Sequence, residues 1–96
     1  MYYIELANKA TNVIKAGPGT LWGVVVTNAG TGWNIQILDA TVSSGSLVSG
    51  YKAIAGATKV AVPAAGTPLY FNCGFTQGLV VVTQDGTAGS ITVIYD

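Results

Sequence analysis

The chain reads as short apolar runs broken at regular intervals by turn-forming residues. Val, Ile, Thr and aromatic residues come in brief stretches, and clusters of Gly, Pro, Asn, Asp or Ser separate them. Breaks about every eight to twelve residues are the spacing of β-sandwiches and barrels, and no window carries the apolar stripe of an amphipathic helix. The expected strands are Tyr2–Leu6, Thr11–Ala16, Leu21–Asn28, Trp33–Asp39, Val48–Ala55, Lys59–Val62, Leu69–Asn72, Leu79–Gln84 and Ser90–Tyr95. The pattern predicts an all-β fold, an antiparallel β-sandwich or jelly-roll of about eight or nine strands. Residues 1–96 make one domain, with 1–10 as a possible N-terminal arm.

Two segments read as hairpins. Val24-Val25-Val26-Thr27 leads through Asn28-Ala29-Gly30-Thr31-Gly32 into Trp33-Asn34-Ile35-Gln36-Ile37, whose alternation leaves one face dry. Val80-Val81-Val82-Thr83 leads through a turn containing Asp85-Gly86 into Ser90–Tyr95, where Ile91, Val93 and Tyr95 alternate with polar residues. Matched at their ends the segments pair Ile35 with Thr92, whereas inward parity pairs Ile35 with Val93. Either one copy carries a bulge, or the likeness is shared β composition. Valine triplets put apolar groups on both faces of a strand, so these strands are expected at sheet centres, one face in the core and the other against a neighbouring layer or subunit. Between the segments, Thr41–Ser46 reads as a loop and Ala53–Thr58 as a tight connection. Pro63–Pro68 reads as a corner that carries the chain from one sheet to the other.

Composition sharpens the picture. Charged residues are 8% of the chain, against roughly 25% in ordinary soluble proteins. Four Lys balance four acidic residues, with no Arg and no His. Nothing in that balance steers the chain to nucleic acid or an anionic membrane, and without Arg it lacks the fork that grips phosphate. No apolar run reaches the ~20 residues of a membrane span, and Met1-Tyr2-Tyr3-Ile4-Glu5-Leu6 has no basic, apolar leader, so synthesis in a cytoplasm is expected. The lone Cys73, between Phe71 and Phe75, reads as a small buried apolar residue independent of any oxidising compartment.

The sequence offers no catalytic, cofactor or metal residues. Glu5, Asp39, Asp85 and Asp96 fall at strand ends, turns or the terminus and read as solvated. A glycosidase-like pair of Asp39 and Asp85, or a loop calcium site at Asp85, has nothing in the sequence to favour it. Gly17-Pro18-Gly19-Thr20 lacks the Lys and following helix of a phosphate loop and reads as a turn. Trp22, Trp33, Tyr51, Tyr70 and Tyr95 offer a sugar-stacking face, although alternation places Trp33 and Tyr95 in the core.

The stretch Ile14-Lys15-Ala16-Gly17-Pro18-Gly19-Thr20-Leu21, the following valine strand with Asn28-Ala29-Gly30-Thr31, and the strand ending Leu38-Asp39 resemble small virion proteins of tailed bacteriophages. Gly78-Leu79-Val80-Val81-Val82-Thr83 and Ile91-Thr92-Val93-Ile94-Tyr95 are similar to the way those proteins finish. The resemblance covers residues 11–39 and 77–96. It implies a non-enzymatic β-sandwich or jelly-roll protein that decorates or cements the capsid, or else belongs to a head fibre, tail or neck. Its partners would be the major capsid protein and copies of itself, a trimer favoured, with neither nucleic acid nor membrane. The expected contact residues are Tyr2, Tyr3 and Ile4, as a strand or clamp added to a neighbour, and Tyr51 and Phe75 as exposed-loop anchors. The rival expectation is a carbohydrate-binding or receptor-binding module with Trp22 or Tyr51 on a groove.

Overall fold

A computed structural model describes the backbone of residues 1–96 and the side chains of all but residues 55–59. The chain is all-β. Its strands are β1 (Tyr2–Leu6), β2 (Thr11–Ala16), β3 (Gly19–Asn28), β4 (Asn34–Asp39), β5 (Val42–Ser43), β6 (Ser46–Leu47), β7 (Lys52–Ala61), β8 (Pro68–Phe75), β9 (Gly78–Gln84) and β10 (Ser90–Tyr95). Sheet I has the order β1-β10-β3-β8 and sheet II the order β2-β9-β4-β7, while β5 and β6 form a small hairpin of their own. All the ladders are antiparallel. Consecutive strands alternate between the sheets from β1 to β4 and again from β7 to β10.

The two valine segments are therefore not hairpins. β3 lies in sheet I and β4 in sheet II, and likewise β9 lies in sheet II and β10 in sheet I. Alternation is satisfied equally by strands side by side and by strands facing each other across a core, so the local pattern is silent on which occurs. The two crossings instead pair with each other. Thr31 and Thr87 donate backbone hydrogen bonds to one another's carbonyls at 3.0 and 2.8 Å. A side chain on Gly86 would overlap the Thr31 carbonyl, and one on Gly89 the Asn28 carbonyl, so glycine is required where the loops touch.

Register exposes an approximate two-fold relation. Val26 lies opposite Ile91 and Val24 opposite Val93 in sheet I, as Thr83 lies opposite Ile35 and Val81 opposite Ile37 in sheet II. The relation exchanges β3 with β9 and β10 with β4, and carries β1 onto β7 and β8 onto β2. Val24 corresponds to Val81 rather than Val80, and Ile35 corresponds to Ile91. The Val-Val-Val-Thr runs thus match one residue out of step, and the second crossing is one residue shorter.

One buried cluster draws Leu21, Val24, Val26, Ile91 and Val93 from sheet I and Ile35, Ile37, Leu79 and Val81 from sheet II. Trp33 and Phe75 lie in it at 1% and 2% exposure. The Trp33 indole donates to the Asn8 carbonyl at 3.0 Å, which satisfies its one polar atom. Fully burying an aliphatic side chain contributes about 1.5–3 kcal/mol, so this cluster is the main source of stability.

The middle third departs most from expectation. Thr41–Ser46 is no simple loop: Ser44 and Gly45 both take positive φ, 51° and 78°, and turn β5 back along β6. β7 runs from Lys52 to Ala61 as one strand where two strands and a connection were expected. The expected connection Ala53–Thr58 falls largely on residues 55–59, whose side chains lie outside the described residues. Pro63–Pro68 does turn the chain from sheet II into sheet I. Nor is the N-terminus an arm, because β1 pairs with β10 along all five of its residues and Leu6 is buried.

Candidate interaction face

Leu6 is buried and Ile4 packs on the core, so alternation turns Tyr3 and Glu5 to the outside of sheet I. The ladders carry this outer face across all four strands: Tyr3 lies opposite Ile94, Ile94 opposite Gly23, and Gly23 opposite Tyr70. The adjacent row is Glu5, Thr92, Val25 and Pro68. Tyr70 is 86% exposed, Tyr3 67% and Val25 39%. In β8, Leu69 and Phe71 pack on the core, which puts Pro68 and Tyr70 on the outer side.

Gly23 sits at the centre because β3 and β8 approach closely there. A Cβ on Gly23 would come within 2.7 Å of the Leu69 carbonyl oxygen. The missing side chain leaves an apolar trough of about 170 Å³, walled by Trp22, Val25, Pro68, Tyr70 and Ile94. Trp22 is the extra residue of a bulge in β3: Ile94 and Tyr95 are consecutive in β10 yet face Gly23 and Leu21. Its indole donates to the Asp96 carboxylate at 2.8 Å, and the N-terminal ammonium pairs with the same carboxylate at 2.7 Å. The hydrogen bond from the ammonium, and then that from Trp22, hold the Asp96 carboxyl below its ordinary range.

Sheet II shows the contrast. The positions corresponding to Ile94 and Gly23 are Leu38 and Val80, which also lie opposite each other. Both are fully buried, in a second small cluster with Ala40 that Val42 and Leu47 of the β5–β6 hairpin cover. The β5–β6 hairpin therefore roofs Leu38 and Val80, although Val13, opposite Val80, is exposed; on sheet I the corresponding row has Tyr3 and Tyr70 exposed at its ends, Ile94 half-buried and Gly23 buried between them.

Of the contact residues expected from sequence, only Tyr3 stands in this row. Tyr2 is exposed and packs its ring at 5.6 Å on Tyr95, at the margin of the inner face. Ile4 is spent on the core. Tyr51 is 45% exposed, but it precedes β7 at the edge of sheet II, away from the row. Phe75 is not an exposed anchor: it ends β8 with its ring inside the core. Among the aromatic candidates for a stacking face, Trp22 and Tyr70 come together while Trp33 and Tyr95 pack inward. The residues that sequence reasoning missed are Gly23, Val25 and Ile94. The alternation Pro68, Leu69, Tyr70, Phe71 pointed to one side of the face, but the row itself depends on register between strands distant in sequence.

Asp39 and Asp85 do not form a glycosidase-like pair. Asp39 lies opposite Leu79, and Asp85 follows Gln84, which lies opposite Asn34. Five residue steps along a strand, at about 3.4 Å each, put them roughly 17 Å apart, beyond the ~5–9.5 Å of a glycosidase pair. Asp39 is not a solvated strand end either. It is 7% exposed, and its carboxylate accepts from the backbone N–H of Thr76 at 2.9 Å, of Gln77 at 2.8 Å and of Gly78 at 3.3 Å. The Asp85 carboxylate accepts from the Asn34 amide at 2.7 Å. Among the described residues, no group of three or more potential metal ligands comes together. No family model, curated protein or solved structure matches the chain.

Proposed function

We propose that this chain is a non-enzymatic structural module that docks through the outer face of sheet I. The observation that carries the reading is the row Tyr3, Ile94, Gly23 and Tyr70, which crosses the whole sheet with Tyr3 and Tyr70 exposed, whereas the corresponding Leu38 and Val80 of sheet II lie beneath the β5–β6 hairpin. Contiguous apolar surface of this kind marks a site of association, and exposed tyrosines are the residues that contribute most when an interface closes over them. The two sheets, on this reading, are the facing layers of a jelly-roll sandwich: their strand orders follow from a chain that alternates between layers as it wraps.

The resemblance of residues 11–39 and 77–96 supplies the setting. There the chain is a decoration or cement protein of a tailed-phage head, made in the host cytoplasm and bound as a homo-oligomer to the major capsid protein on the outside of the virion. The carbohydrate-binding alternative has less support, because sugar hydroxyls need polar groups to fix them, whereas the trough is apolar and the Trp22 N–H is already engaged. Quantifying the protein in density-banded particles, with immunogold labelling of heads, tests the reading. Near-stoichiometric labelling of heads is expected, with serine at both Tyr3 and Tyr70 cutting bound protein about tenfold or more, the equivalent of 1.4 kcal/mol. Heads that carry none of the protein overturn it.

A further inference from the structure

We propose that the trough on sheet I receives the Tyr70 ring of a second copy of this chain, so that two copies pair face to face about a two-fold axis. The inference rests on the docking reading above and names the partner at that face. Size is the first reason. A trough of about 170 Å³ is near the ~150 Å³ of an apolar cavity that holds one benzene ring and well below the ~300–1,000 Å³ of a small-molecule pocket. It suits a single aromatic side chain.

The face itself presents such a ring. Tyr70, at 86% exposure, is the most exposed of the large hydrophobic residues, and it lies directly opposite Gly23, the trough floor. Knob and hole stand on neighbouring strands, about 4.8 Å apart. A two-fold axis running along the strands between β3 and β8 sets each Tyr70 over the other copy's Gly23, which makes the patch self-complementary, as an isologous contact must be. A three-fold ring, in contrast, needs the knob on one surface and the hole on another.

Charge selects the same partner. β1, β10, β3 and β8 contain one charged residue between them, Glu5, on the edge strand. Beside the trough the Met1 ammonium and the Asp96 carboxylate neutralise each other, so a strongly basic or acidic partner finds no unpaired counter-charge at the trough, and two copies meet there without net like charge. At the corresponding positions of sheet II, Leu38 and Val80 are covered by apolar side chains brought in on a β-hairpin, the kind of cover proposed for sheet I.

Analytical ultracentrifugation of the full chain over a wide concentration range tests the proposal. The wild type is expected at twice the single-chain mass. Tyr70→Ser, which removes the knob, and Val25→Lys, which puts a charge in the trough wall, should each weaken pairing at least tenfold, while Tyr51→Ser leaves it unchanged. Both test positions face outward, and a circular dichroism melt at low concentration verifies that each variant is folded. Mixing the two variants is the sharper arm, because the Tyr70→Ser chain loses its knob and one wall of its trough but keeps the Gly23 floor and the Val25, Pro68 and Ile94 walls, while Val25→Lys keeps the knob. The mixed pair regains one of the two contacts and should form more tightly than either variant with itself. A wild type at single-chain or three-chain mass throughout, or a dimer indifferent to Tyr70→Ser, overturns the proposal. Protein found on phage heads but monomeric in solution removes the pairing and leaves the docking reading standing; a dimer absent from heads does the reverse.

Discussion

Asp39 is a largely buried carboxylate held by backbone hydrogen bonds. Desolvation pushes its pKa up, but hydrogen bonds from the backbone of Thr76, Gln77 and Gly78 and from the Thr76 hydroxyl outweigh that and hold the carboxyl below its ordinary value of 3.8. The three amides belong to the turn that takes β8 of sheet I into β9 of sheet II, so one side chain at the end of β4 fastens a sheet crossing. A carboxyl that is more acidic folded than unfolded contributes stability that is fully present above its unfolded pKa and is lost as pH falls through the folded one. Wild-type stability should therefore decline below about pH 4. Asp39→Asn should be less stable at pH 7 by about 1.5–3 kcal/mol, the range for hydrogen bonds to a charged group, and should show a shallower acid decline. Urea denaturation of both proteins at pH 7 and at pH 3 checks this, and equal stabilities at pH 7 would refute the role. The sequence shows Asp39 only as a strand-ending acid. Its partners lie 37 to 39 residues away, on a turn whose position depends on the sheet crossings.

At the scale of elements, the sequence revealed strands well and partners poorly. Seven of the nine expected strands, from Tyr2–Leu6 to Ser90–Tyr95, overlap observed ones closely, because period-two alternation is written along each strand. Pairing is not. A valine strand, a glycine-bearing loop and an alternating strand satisfy the same pattern whether they lie side by side or in different sheets, and here they lie in different sheets. The β5–β6 hairpin was hidden for a different reason: its signal is two residues a side around Ser44-Gly45, embedded in a Ser-rich stretch. Its role is to roof Leu38 and Val80 with Val42 and Leu47. Leu47→Ser should lower stability by about 1–2 kcal/mol, somewhat below the value for a fully buried leucine since Leu47 is half-buried. It should also raise the fluorescence of a hydrophobic dye such as ANS at the uncovered surface. Val48→Ser, at an exposed neighbour, should change neither. If Leu47→Ser leaves both the urea midpoint and the dye signal at wild-type values, the hairpin is not a roof.

For the molecule as a whole, the same topology governs how it can fold. β1 pairs with β10, β3 with β8 and β10, and β2 with β9, so most main-sheet ladders join strands from distant parts of the chain. Even β4 and β7, successive strands of sheet II, are separated by the β5–β6 hairpin. Loop-closure entropy must be paid before such contacts return anything, and β-domains built this way refold in roughly milliseconds to seconds. Stopped-flow dilution from urea should accordingly resolve the refolding of this chain. The hairpin and the core should also separate in their kinetics. The hairpin has only paired β4 and β9 to dock on, so Leu47→Ser should speed unfolding and leave refolding unchanged. Ile91→Val trims the core on β10, the strand that joins β1 to β3, and should slow refolding as well. Refolding finished within the mixing dead time, or a refolding rate that falls with Leu47→Ser and not with Ile91→Val, would mean that structure starts at the local hairpin rather than at the long-range closure of sheet I.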